Sequence, residues 1–170
     1  AVRPVAGAFA DGTGTDRLPG ALVTASLFDV LGLAPVQGRA ITTADDTPGA
    51  ARVVLLAHRA WQTRYAAATD VIGRVVTLDG RPATIVGVLP AHADTLVPDA
   101  DWWAPLALAP SERANIGPRY LDVIGRLSAT ASPAAATQEL EAIGARLALR
   151  ADDGSALGVR VTPLADHLTA

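Results

Sequence analysis

The 170-residue sequence predicts a mixed α+β domain. Three observations carry that reading. Short β-prone runs such as RVVLLA (52–57) are broken by turn residues. VIGRVVTLDGRPATIVGVLP (71–90) has the alternation of a β-hairpin. SPAAATQELEAIGARLALR (132–150) has the 3.6-residue period of one amphipathic helix.

In chain order, a short strand is expected near Val2–Phe9, and DGTGTD (11–16) follows it as a surface loop, with Pro19-Gly20 interrupting what comes next. ALVTASLFDVLG reads as a strand end entering a short helix. Thr24 or Ser26 is placed to cap its first turn, and Gly32 stands where a left-handed residue ends a helix. GRAITTADDTPGA is an extended piece and an acidic turn. RVVLLA is a buried strand, and HRAWQTRY continues as a helix that puts Ala57, Trp61 and Tyr65 on one face.

The hairpin turns at Asp79-Gly80, which suits a type I′ turn because both central residues need positive φ. Pro82 lacks an N–H and marks an edge or a ladder end in the returning strand. Residues 90–119 hold five prolines and read as a long connection containing one short strand, DWWAPL. YLDVIGRL (120–127) is the next strand. In the long helix Ser132 is the cap, Pro133 the first helical residue, and Ala136, Leu140, Ile143 and Leu147 the stripe to be buried. Burying Leu140, Ile143 and Leu147 would be worth about 1.5–3 kcal/mol each before entropy. GVRVTPL (158–164) closes the chain as a last strand. VIGR occurs at 71–74 and 123–126, but the flanks differ and it is not a repeat.

Composition excludes several functions. A net charge of −3 offers no basic footprint for nucleic acid. Without cysteine there are no disulfides, zinc–thiolate sites or iron–sulfur clusters. All 14 basic residues are arginine, so neither a P-loop lysine nor a Schiff-base amine is available. No apolar run is long enough to span a bilayer. The sequence also lacks methionine, as an excerpt or a processed product would.

The candidate motifs carry little chemistry. DGTGTD resembles the phosphate-binding turn of actin-like ATPases, but reads better as a loop. Asp45-Asp46 and Asp152-Asp153 lack the spacing of a calcium loop and read as solvated turn acids. His58, His92 and His167 lie far apart with no metal-ligand spacing, and no serine elbow occurs. No catalytic, cofactor-binding or metal residue is assigned. Trp102 and Trp103 are the candidate contacts. In an extended DWWAPL they point to opposite faces, so one faces solvent or a partner, unless a second buried face lies under the long loop. Arg39, Arg74, Arg81 and Arg126 read as strand-edge solubilisers. Asp79, Gly80, Gly32 and Trp61 are read as structural.

Several segments in fixed order resemble one family. They are ALVTASLFDVLGLAPVQGR, VVLLAHRAWQTRY, DVIGRVVTLDGRPATIVGVLP, DWWAPL, and RYLDVIGRL followed by SPAAATQELEAIGARL. Together they are similar to the periplasmic core domain of MacB-type ABC transporter permeases, in particular the large permeases, over about residues 20–165. Phe28, Gly32, Gly38-Arg39, Trp61, Gly73, Gly80, Gly87-Val88, Trp103 and Pro105 fall on the family's pattern. Ala57 departs from it, standing where the family usually has a capping serine, and Ala129 to Ser132 replaces its usual turn.

The resemblance implies an extracytoplasmic domain between the first two membrane spans of a permease. It implies a porter-like α/β subdomain (residues 1–52 plus 119–170) and a smaller inserted α+β subdomain (53–118) containing the hairpin. It also implies a non-catalytic role without cofactors: ATP is hydrolysed on a separate nucleotide-binding domain or subunit, and this part relays motion to a substrate, a periplasmic adaptor or cargo. A peptide- or lipoprotein-binding module anchored by Trp102 or Trp103 is the alternative. A hydrolase with a spatially assembled Ser/His/Asp site is the third reading.

Overall fold

The structure, a computed structural model, describes residues 1–12, 14–114, 120–148 and 161–168, with only the backbone of 147, 148, 167 and 168. The fold is α+β. The chain begins with a long hairpin, β1 (Val2–Ala10) and β2 (Thr15–Val23), paired antiparallel from Val2↔Val23 to Ala10↔Thr15. The expected interruption at Pro19-Gly20 does not occur. β7 (Trp102–Pro105) joins the other side of β2 only from Gly20 onward, so the missing N–H of Pro19 falls beyond the end of that ladder. Of DGTGTD, Asp11, Gly12 and Gly14 lie between the two strands, and Thr15 and Asp16 already belong to β2.

β4 (Val53–Leu56), the hairpin β5 (Val75–Leu78) and β6 (Arg81–Val88), and the two-residue β3 (Gln37–Gly38) complete the sheet. Its order is β3-β6-β4-β7-β2-β1-β5, and β5 also pairs with β6. That second pairing joins the two ends, so β6, β4, β7, β2, β1 and β5 form a closed ring of six strands. The turn between β5 and β6 is as the sequence predicts: φ is 51° at Asp79 and 75° at Gly80. Pro82 precedes the β4 ladder, which begins at Thr84.

Every strand of the ring contributes to an inner core. Phe9, Val54, Leu56, Val76, Leu78, Ala83, Ile85, Val88, Trp102 and Ala104 are buried there, with Leu18 and Leu22 packed against them. A register shift between Val54 and Leu55 lets both Ile85 and Val88 point inward. A second core covers the outside of β2, β4 and β7. There Ala21, Val23, Leu55 and Trp103 meet Leu27 and Phe28 of α1 (Ser26–Leu31), Ala93 of a 3-10 turn (Ala91–Thr95), and Val97. Helix α1 ends at Gly32 with φ 67°, as expected. Its N-terminal side chains do not cap it. Instead the Ala25 N–H donates to Asp46 Oδ2 at 3.0 Å.

Helix α2 (His58–Tyr65) lies against the inner core through Trp61 and Tyr65, and α3 (Pro110–Ala114) follows β7. Beyond that the sequence expectations hold less well. Residues 120–127 form no strand; a single bridge, Val2↔Asp122, ties them to β1. Helix α4 (Pro133–Ala148) starts as predicted, with the Ala135 N–H donating to Ser132 Oγ at 3.2 Å. Its stripe is not buried, however: Leu140 is 41% exposed and Ile143 only partly covered, while the side chain of Leu147 lies outside the described residues. Of the predicted strand 158–164, residues 158–160 lie outside the described residues; 161–163 form no strand and Leu164 begins helix α5 (Leu164–Leu168), so no strand forms in the described part. Among the described residues no helix is long and apolar enough to cross a membrane.

Candidate functional site

The polar chemistry of the domain gathers around α2. Ala57 offers no capping oxygen, so the first-turn N–H groups of this helix need another partner. Asp94 supplies it from the 3-10 turn, accepting from His58 N–H at 3.2 Å and Arg59 N–H at 3.1 Å. The aspartate thus does from a distance what a side chain at position 57 would do locally. Arg59 then reaches the entry to β7, pairing with Asp101 at 3.0 Å and donating to the Asp99 carbonyl at 2.8 Å. Burial, opposed by the Arg59 charge, holds the Asp101 carboxyl above its usual pKa.

At the other end of α2, Arg64 bridges the tip of the first hairpin. It meets Asp16 at 2.9 Å and Asp11 at 3.4 Å, and its guanidinium lies 5.9 Å from the Phe9 ring centroid. The Tyr65 hydroxyl is buried beside Asp11 without a well-formed hydrogen bond to it. Burial first, then the Asp11 charge, pushes its pKa up to about 12. Trp61 Nε1 donates to the Ala68 carbonyl at 2.9 Å, fastening the residues that follow the helix. Two of these, Ala66 and Ala67, have φ of 48° and 56°, a costly conformation for a residue with a Cβ.

Other anchors lie at one joint of the ring and along its β3 edge. Asp79 accepts from the Ala8 N–H at 2.8 Å and returns its own N–H to the Ala8 carbonyl, extending the short β1–β5 ladder. Gly38 and Gly87 pair across β3 and β6 with no room for a Cβ at either: one on Gly87 would meet Leu55 Cδ2 at 2.7 Å. Arg39 makes a two-pronged bond to Asp45, 2.6 and 3.0 Å, and Thr42 adds two more. The Arg39 hydrogen bond chiefly holds the Asp45 carboxyl down at about 2. Asp45 and Asp46 are thus engaged in fixed contacts, whereas the sequence reading left them solvated. Asp152-Asp153 lie outside the described residues.

Trp102 and Trp103 do point to opposite faces, but both faces are covered. Trp102 is 1% exposed inside the ring and Trp103 0% in the outer core. The expectation that one indole faces solvent is corrected in favour of the second buried face, because α1 and the long connection itself, through its 3-10 turn and Val97, cover Trp103. Trp102 lies over Gly7 and Gly20; a methyl at Gly20 would land on its ring. Its Nε1 donates to the Leu18 carbonyl at 3.2 Å, while the buried Trp103 N–H has no partner among the described residues.

His58 stacks edge-to-face on Trp61 at 5.5 Å, His92 is exposed in the 3-10 turn, and the side chain of His167 lies outside the described residues. Among the described residues no three His, Cys, Asp or Glu side chains gather as a metal site. Arg74 pairs with Asp70 at 2.7 Å, and Arg126 donates twice to the Val30 carbonyl, so these two arginines hold neighbouring segments. A shallow, mostly apolar depression of about 220 Å³ lies between Gly38, Ile72, Gly73 and Val86.

Sequence reasoning missed Arg64, Asp11, Asp16 and Asp94. The one available signal was Ala57, a helix start with no cap of its own, which requires a distant acceptor.

The family described as MacB-like periplasmic core domain matches residues 1–143. Among solved structures, the periplasmic region of MacB from Actinobacillus actinomycetemcomitans is similar at 21% identity and TM-score 0.62, covering 86% of this chain and 65% of that one. A domain of a putative permease from Porphyromonas gingivalis is similar at 16% identity and TM-score 0.58, covering 99% of this chain and 77% of that one. The extracellular domain of the noncanonic ABC-type transporter YknZ from Gram-positive bacteria matches at 16% identity and TM-score 0.52, covering 68% of this chain and 57% of that one. This chain thus spans less than two thirds of the MacB and YknZ regions. At such identities the likeness shows the fold. No curated protein matches the chain.

Proposed function

The chain belongs to the family of MacB-like periplasmic core domains, and from that premise we propose that it relays ATP-driven motion to a substrate or partner outside the membrane. It is an extracytoplasmic domain, as the family's name and the similar solved regions describe. In this reading it contributes no reactive group. Membrane spans of the same parent and a separate ATP-binding domain or subunit drive it, and an adaptor or cargo receives the motion.

One observation supports the reading above others: the strand ring is hydrogen-bonded all the way round, with cores inside it and outside it. A closed ladder resists shear better than an open sheet, because no strand can slide without breaking bonds on both sides. The division into residues 1–52 plus 119–170 and residues 53–118 remains part of the proposal. β1 and β2 pair with β5 and β7 across that boundary, so the two parts can shift only by straining those ladders. The binding-module alternative loses its anchor with the burial of Trp102 and Trp103. Among the described residues, the shallow depression beside Ile72 still favours it.

The test uses the parent transporter in vesicles, with spin labels at exposed positions of the domain and in the membrane region. Nucleotide trapping should change the distances between domain and membrane labels while distances within the ring stay fixed. Unchanged distances in every nucleotide state would sink the relay. Turnover of an ester or peptide by the isolated domain, lost in His58→Ala, would replace it with the hydrolase.

A further inference from the structure

We propose that α2, with the two left-handed alanines behind it, is an ion-latched plug that opens as a unit while the strand ring stays closed. The inference concerns the isolated domain and stands independently of the relay.

Four observations converge. First, the ring is complete without α2, since every ladder that closes it runs between strands. Second, the apolar hold on α2 is thin. Ala60 is its only fully buried residue, and Trp61 and Tyr65 rest only partly buried on the inner core. Third, its polar hold is borrowed. Asp94 caps it from the 3-10 turn, Arg59 ties it to Asp101, and Arg64 ties it to Asp11 and Asp16. Side-chain bonds of this kind loosen singly and with salt, unlike a continuous backbone ladder. Fourth, the two residues directly behind the helix, Ala66 and Ala67, hold left-handed backbone, which is costly for a residue with a Cβ.

The Arg64 clamp is the controlling part. The Asp11 side chain is 4% exposed and that of Asp16 55%, so Arg64 spans from an inner acceptor to an outer one. Releasing it lifts Trp61 and Tyr65 off the inner core to which Phe9 and Val71 belong.

Native-state hydrogen exchange tests this on the domain as it stands. The probes are the amides of Gln62 to Tyr65 in α2 against those of Ile85 and Leu89, bonded to Arg74 and Leu56. The α2 amides should exchange at least about tenfold faster than the ring amides, as a separate opening unit would. Arg64→Gln should speed α2 further and leave Ile85 and Leu89 unchanged, and 1 M NaCl should act in the same direction. Where Arg64→Gln does not fold, Asp16→Asn removes the outer half of the clamp and should give the same pattern. A common exchange rate for α2 and ring would overturn the proposal, as would variants that speed both equally or neither.

Discussion

The strand ring and the segment that returns after it obey different rules, although both are rich in apolar residues. In the ring, five of the six strands bury inward side chains fully and β2 packs Leu18 and Leu22 against them, and even adjacent tryptophans find cover on opposite sides. In the return, Val123 is 81% exposed, Leu127 43% and Leu140 41%, and one bridge to Val2 replaces a ladder. Apolar pattern is similar in the two; partners are not. Periodicity states which face a segment can bury, whereas burial depends on a second surface that the pattern does not encode.

Mutations can break or sharpen that contrast. The largest expected effect is Trp102→Ala, which empties the ring's interior and should cost about 3–5 kcal/mol by chemical denaturation. A loss below about 1 kcal/mol would mean the ring is loosely filled. Next comes Asp94→Ala, which leaves two helix N–H groups without their acceptor and should cost about 0.5–2 kcal/mol, read in the same experiment. Leu140→Ala should cost less than about 0.5 kcal/mol, because its side chain is largely in water. If it costs as much as a ring residue, α4 is packed and the contrast fails.

A different kind of effect, confined to low pH, is on acid stability. Asp45 has its pKa lowered from 3.8 to about 2 in the fold, so its bond to Arg39 stabilises fully above the unfolded value. That contribution should fade as pH falls from about 4 to about 2. In Asp45→Asn the corresponding part of the acid melting curve should flatten. An unaltered curve would mean the pair contributes nothing in solution.

What the sequence made legible was local. The Asp79-Gly80 turn, the Gly32 helix end and the Ser132 cap each depend on residues within a few positions, and each forms as read. The pairing of β2 through Pro19 was not legible, because a proline is harmless or harmful according to where a neighbouring strand begins, here Trp102. The clamp on α2 was hidden for a similar reason: Arg64 and Asp11 are 53 residues apart. The alternation of Trp102 and Trp103 could be read from the strand, but the cover over both required knowing that α1 folds back on the sheet.

Asp46 carries one more consequence. Its Oδ2 accepts from Ala25 at the start of α1, and its Oδ1 accepts from Ala107 just after β7, at 2.7 Å. Two stretches of chain far apart in sequence therefore hang from the two oxygens of one residue. An asparagine could serve only one of them, since its amide nitrogen would turn a donor toward a donor. The loop that carries Asp46 is thus a junction whose chemical identity is set by backbone it never touches in sequence.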